Sequence, residues 1–153
     1  MKNIKEIADK LWPLFSHLPI DVIYLYGSVA EGKDDRFSDF DFGVLFQKNL
    51  SEKKRFQLQL QLFGKIAKIL KIPEEKIDVV DLKNASVILQ FNIICGKKIF
   101  CSNEQRRVDF ETYVMARYHD EHYYLDRYLL EVIQKIRRGD YFEHQIPYAG
   151  AKT

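Results

Sequence analysis

Two short runs rich in apolar, β-branched and aromatic residues, Asp21-Val-Ile-Tyr-Leu-Tyr26 and Phe40 to Phe46, bracket a segment that opens with Gly27-Ser28 and closes with Asp39-Phe-Asp41. Runs of this kind that stop at a Gly-Ser turn read as buried strands. Asp39 and Asp41 are two apart, so on an extended chain both carboxylates project to one face. Side-by-side carboxylates repel, which raises the pKa of one of them, and Mg²⁺ with its preference for hard oxygen ligands relieves that repulsion. At the turn, Gly27 lets the backbone approach a phosphate closely and the Ser28 hydroxyl donates a hydrogen bond. A helix opening at Ser28-Val-Ala-Glu31 would aim free N–H groups at the same anion. The segment predicts a cleft for a metal-bound triphosphate.

The rest of the chain supplies a frame for that cleft. Ile4, Ile7, Ala8, Leu11 and Leu14 or Phe15 recur at helical spacing, with Pro13 near the end. Phe56, Leu60, Phe63, Ala67 and Leu70 predict a helix from about Ser51 to Lys71, ending before Pro73. Ile77 to Leu82 reads as a third strand, Ala85 to Cys95 as a helix, and Lys98 to Cys101 as a short strand after the turn at Gly96. Neither Pro nor Gly interrupts Asn103 to Arg138, where one long helix or two broken ones fit, with Leu125, Leu129, Val132 or Ile133 and Ile136 forming a stripe. The expected architecture is α/β or α+β: a small mixed sheet flanked by helices, with a helical C-terminal extension. One domain is expected over 1–138, its core over about 1–102 and its C-terminal helices over 103–138, followed by an irregular tail over 139–153.

Asp78, in Lys-Ile-Asp-Val-Val-Asp, supplies a third carboxylate on a neighbouring strand. It would complete a two-metal arrangement in which one ion lowers the pKa of an attacking hydroxyl and the other steadies the triphosphate. Asp78 is also placed to accept the proton. Asp81 faces the other side of a regular strand and is the weaker candidate. A Gly-Ser turn or an Asp-x-Asp pair carries little information alone. In this order, each beside an expected strand and followed by a third strand with an aspartate, they are specific.

The string Tyr-Gly-Ser-Val-Ala-Glu-Gly-Lys-Asp-Asp-Arg-Phe-Ser-Asp-Phe-Asp-Phe-Gly-Val, residues 26–44, resembles the signature of the minimal nucleotidyltransferases of the polymerase beta superfamily. The resemblance implies the polymerase beta-like fold and ATP as substrate. It implies Gly27, Ser28 and Ser38 as nucleotide contacts, and Asp39, Asp41 and Asp78 as catalytic ligands of two Mg²⁺ ions. Many family members carry Arg where this chain has Glu31, so Lys33 or Arg36 is the expected substitute as a phosphate contact. The stretch Asp81-Leu-Lys-Asn-Ala85, the segment Cys95-Gly-Lys-Lys98 and the pattern Asp109-Phe-Glu-Thr-Tyr113 with Tyr124-Leu-Asp-Arg-Tyr128 are similar to one subgroup, the nucleotidyltransferase antitoxins of HEPN/MNT toxin–antitoxin pairs. This implies transfer of AMP from Mg-ATP to a tyrosine of a cognate HEPN RNase toxin, within a hetero-oligomeric complex. The alternatives are nucleotide transfer to a small hydroxyl compound such as an aminoglycoside, and masking of a toxin without catalysis.

Arg117, His122 and Tyr124 form an R-x4-H-x-Y string like the RNase motif of HEPN toxins themselves, but the segment after Ser102 is too short for a helical bundle with its own core. His119 and His122 lack a third metal ligand at suitable spacing and read as surface residues. Tyr113, Tyr118, Tyr123, Tyr124 and Tyr128 are expected to pack on the sheet, with an interface as the alternative. Trp12, Phe56 and Phe63 are expected in the core, and Lys53, Lys54 and Arg55 on a solvated helix face. The balance of 24 basic and 22 acidic residues does not favour nucleic-acid binding. Cys95 and Cys101 fit neither a disulfide framework nor a zinc site. Four charges among the first nine residues and no long apolar run predict neither a secretory signal nor a membrane span, hence a cytoplasmic protein.

Overall fold

The computed structural model describes residues 3–33 and 38–139. Arg36 and the tail beyond Gly139 lie outside the described residues. Asn3 opens helix α1 (Ile4–Ser16) by accepting hydrogen bonds from the N–H groups of Lys5 and Glu6 at 3.0 and 3.3 Å. Strand β1 (Ile20–Tyr26) follows, then a single helical turn α2 (Gly27–Ala30) and strand β2 (Phe40–Phe46). Ser51 caps α3 (Glu52–Leu70) through its Oγ, and Lys71 ends it in the left-handed conformation. Strand β3 (Ile77–Asp81), helix α4 (Val87–Ile94), strand β4 (Lys97–Cys101) and the uninterrupted helix α5 (Glu104–Arg138) complete the order.

The sheet runs β3-β2-β1-β4; β1 is antiparallel to both of its neighbours and β2 is parallel to β3. This is the expected mixed sheet flanked by helices. On one face α1 and α3 bury Leu11, Phe15, Leu62 and Ile66 against Ile23, Leu25, Phe42 and Val44. On the other, Val22, Tyr24, Tyr26 and Leu45 pack with Ile93 of α4, and Phe110 of α5 closes over them. Each fully buried aliphatic side chain contributes about 1.5–3 kcal/mol. The chain forms two compact units that divide between Met115 and Ala116, within α5. No helix among the described residues is long and apolar enough to cross a membrane.

Helix α3 turns a different face inward from the one its apolar spacing suggests. Arg55, Leu58, Leu62, Ile66 and Ala67 are buried, while Phe56 and Leu60 are exposed and Phe63 lies at the margin of the core. Arg55 decides the matter: its Nε donates to Asp81 Oδ2 at 2.8 Å and its Nη1 to the Leu50 carbonyl at 3.0 Å. The expected solvated cluster therefore loses Arg55 to an internal ion pair. Trp12 is also not a core residue; it is half exposed and lays its ring edge on Phe100 at 4.7 Å between centroids. Tyr113, Tyr123, Tyr124 and Tyr128 are more than half exposed, so they are not the core residues expected.

Asp81 also accepts from the Lys83 N–H at 3.1 Å, so one carboxylate joins α3, the end of β3 and the following turn. Breaking a buried pair strands a charge and costs about 3–5 kcal/mol. Asp81→Ala should lower the unfolding free energy by about that amount in a urea titration. The pair Arg55→Met with Asp81→Leu should recover most of the loss. Equal losses in the single and double variants would rule out the stranded charge as the cause.

Candidate active site

Sheet register assembles the site. Asp41 is paired with Tyr26 on β1 and with Asp78 on β3, so the three stand in one row across the sheet on the face that carries α4. Asp39 precedes β2 with the same parity as Asp41. Asp39 and Asp78 are exposed, and Asp41 is half-buried. The Asp41 carboxyl is pushed from an ordinary value near 3.8 up to about 6, first by burial and then by the charges of Asp78 and Asp39. The Tyr26 phenol is pushed up to about 12 by burial and then by Asp41 and Asp78.

Gly27 is demanded by two independent constraints. Its φ is +78°, and a Cβ there would lie 2.5 Å from Asp41 Oδ2. The strand-end turn and the carboxylate pair are thus in contact across the β1–β2 boundary. The α2 helix is only one turn long, so its macrodipole is small and the local N–H groups are what remains of the expected anion cradle. Ser28 is half-buried in that turn, and its carbonyl accepts from the Lys33 N–H at 2.9 Å. The Lys33 ammonium is exposed and stands 3.7 Å from Glu31, a weak surface pair. Ser38 is half-buried immediately before Asp39.

The donor set of Asp39, Asp41 and Asp78, all oxygen and all anionic, suits a hard divalent cation such as Mg²⁺. The side chains are close enough to shift the titration of Asp41, yet among the described residues no three His, Cys, Asp or Glu side chains are already gathered as a metal centre. Asp81 sits apart, buried against Arg55.

Two neighbours of the site are invisible to motif reading. At Gly43, one step along β2, any Cβ would collide with Ile93, so α4 seals the sheet directly below Asp41. A glycine inside an apolar strand is the available signal for such a close approach. Beside Gly27 a cleft of about 450 Å³ opens between Tyr26, Gly27 and Lys33 on one side and Asn92, Cys95 and Lys97 on the other. A larger cleft of about 570 Å³, bordered by Asp21, Lys48 and Arg106, lies at the other end of β1 and β2 and contains none of the motif residues. It surrounds the 2.7 Å ion pair of Arg106 with Asp21, which has a structural role.

Raising a carboxyl pKa in the folded state makes folding less favourable once the group ionises. The contribution of Asp41 is most favourable below its unfolded value near 3.8 and is lost as pH rises to about 6. Asp41→Asn should therefore melt higher than the parent at pH 7.5 in the absence of divalent cations, with the difference vanishing near pH 4. An unchanged or lower melting temperature at pH 7.5 would contradict this electrostatic account.

Residues 3–105 match the family described as Polymerase beta, Nucleotidyltransferase. The chain is 25% identical over 143 residues to the protein adenylyltransferase MntA of Shewanella oneidensis, covering 91% of this chain and 94% of that one. It is 29% identical over 108 residues to the protein adenylyltransferase MntA of Aphanizomenon flos-aquae, covering 64% and 69% respectively. Among solved structures, a toxin–antitoxin crystal structure with AMP-PNP aligns with a TM-score of 0.62 at 24% identity, over 82% of this chain and 98% of the other. A complex of the tri-AMPylated HEPN toxin of Shewanella oneidensis with its MNT antitoxin aligns with a TM-score of 0.58 at 22% identity, over 86% and 99%. These structural likenesses are evidence of a common fold. With its Gly-Ser turn set against an aspartate row, the chain belongs to the polymerase beta nucleotidyltransferase family.

Proposed function

We propose that this chain is an antitoxin adenylyltransferase acting in the cytoplasm, which transfers AMP from Mg-ATP to a tyrosine hydroxyl of a cognate HEPN toxin. The observation that carries the reading is the row Asp41–Asp78 beside Gly27, with Asp39 on the same face. Relatives named protein adenylyltransferase along most of the chain support the choice of AMP and of a protein acceptor.

Gly27 and Ser28, with Ser38 and Lys33 nearby, hold the triphosphate, and Asp39, Asp41 and Asp78 hold two Mg²⁺ ions. The bound ions supply charge neutralisation for the triphosphate and acidify the attacking hydroxyl. The tyrosine oxygen attacks the α-phosphorus and forms the new O–P bond. The bond from the α-phosphorus to the oxygen bridging to the β-phosphate breaks, pyrophosphate leaves, and the tyrosine proton passes to Asp78. The raised pKa of Asp41 reflects burial first and the neighbouring charges of Asp78 and Asp39 second, and a bound cation would offset both.

A surface for the partner is available on α5. Leu125, Leu129, Ile133 and Ile136 are each close to half exposed, and they follow helical spacing. Such an unburied stripe, with Lys135, Arg137 and Arg138 around its C-terminal end, suits an apolar helix of the toxin with acidic flanks.

Incubating the chain with Mg-ATP and the toxin encoded beside it should add AMP to the toxin, read by intact mass and by tyrosine mapping. Asp39→Asn with Asp41→Asn should abolish transfer, and Asp78→Asn should slow it by roughly 10²–10⁴-fold. A double variant that still neutralises the toxin would favour masking, and unmodified toxin in the presence of bound ATP would sink the proposal. Separately, Leu129→Glu with Ile136→Glu should abolish co-purification with the toxin while leaving ATP binding intact.

A further inference from the structure

The cleft beside Gly27 shares Gly27 and Lys33 with the triphosphate contacts above, but the rest of its lining has no role there. We propose that this cleft holds the nucleoside portion of the nucleotide and that Asn92 reads the edge of its base. This inference rests on the nucleotidyl-transfer reading and adds where the chain recognises its donor.

Four observations carry it. The first is continuity: the Gly27 backbone lies against Asp41 Oδ2 and also forms one wall of the cleft, so a nucleotide with its α-phosphate at Asp41 has its sugar at the cleft mouth. The second is exclusion. Ile93 closes the sheet at Gly43, which blocks the path along β2, and the larger cleft lies beyond the seven residues of β1, about 20 Å away. The third is volume, since about 450 Å³ falls in the range of roughly 300–1,000 Å³ of small-molecule sites.

The fourth is rigidity with suitable chemistry. A Cβ at Gly96 would lie 2.5 Å from the Leu25 carbonyl and 2.9 Å from Tyr26 Cβ, so the α4–β4 turn is drawn tightly against the end of β1. That contact fixes the wall made by Asn92, Cys95 and Lys97. The Asn92 amide offers a donor and an acceptor together, as a base edge requires. Its position in the last turn of α4, the negative end of the helix, favours a base that presents an exocyclic amine over one that presents a carbonyl. Lys33 and Lys97 line the cleft together with Glu31.

Cys95 is an exposed thiol in this wall and serves as a reporter, while Cys101, at the far end of β4, is the internal reference. In the full chain, Mg-ATP should slow iodoacetamide alkylation of Cys95 about tenfold relative to Cys101, whereas inorganic tripolyphosphate with Mg²⁺ should leave it unchanged. Asn92→Ala should raise the KM for ATP about tenfold, the scale of one lost hydrogen-bonded contact. It should also narrow the preference for ATP over GTP, with inhibition by tripolyphosphate unaltered. If calorimetry detects ATP binding but Cys95 is not protected, or if Asn92→Ala keeps the parent's preference, the cleft assignment is wrong and nucleotidyl transfer stands. Absence of ATP binding by calorimetry overturns both.

Discussion

Parallel pairing of β2 with β3 is the constraint on which the site depends. A shift of one residue in that register would turn Asp78 to the face occupied by α1 and α3 and bring Asp81 toward the aspartate row. The register is held from the α3 face. Ile77 and Val79 are buried beneath α3, and the Asp81 carboxylate is locked to Arg55. The Gln59 side chain also donates to the Val79 carbonyl at 2.5 Å. The ion pair that appears purely structural therefore bears on chemistry, because it fixes which aspartate of β3 meets Asp41.

The opposite face works by close approach. Gly43 on β2, Gly27 at the start of α2 and Gly96 in the α4–β4 turn are each positions where a Cβ has no room. At Gly27 the obstruction is the Asp41 carboxylate, at Gly43 the side chain of Ile93, and at Gly96 the backbone of β1. Together they bring the Gly-Ser turn, the aspartate row and α4 within contact distance. The crowding also desolvates Asp41, the largest cause of its raised pKa. Electrostatic strain is thus concentrated at the one place where a divalent cation would relieve it.

Much of this was legible in the residues. The strand limits followed from β-branched runs stopped by Gly and Asp, and the separation of Asp78 from Asp81 followed from strand parity. Register brought Asp78 to Asp41 as strand order implied. Other expectations failed for physical reasons. The inward face of α3 differs from the one that Phe56 and Leu60 predict, because hydrophobic spacing cannot register a cation that is buried with a partner 26 residues away. Aromatic residues are usually buried, yet Tyr113, Tyr123, Tyr124 and Tyr128 of α5 are more than half exposed.

By itself, the amino-acid sequence determined the candidate site and the family: a Gly-Ser turn, an Asp-x-Asp pair and a third strand aspartate in one order are local features, written in spacing and residue type. Tertiary structure decided what no local pattern encodes. It placed Tyr26, Asp41 and Asp78 in one row, put Asn92, Cys95 and Lys97 across from Gly27, and buried Arg55 while leaving Trp12 half exposed. These are contacts between residues distant along the chain, set by strand register and by how closely helices approach the sheet.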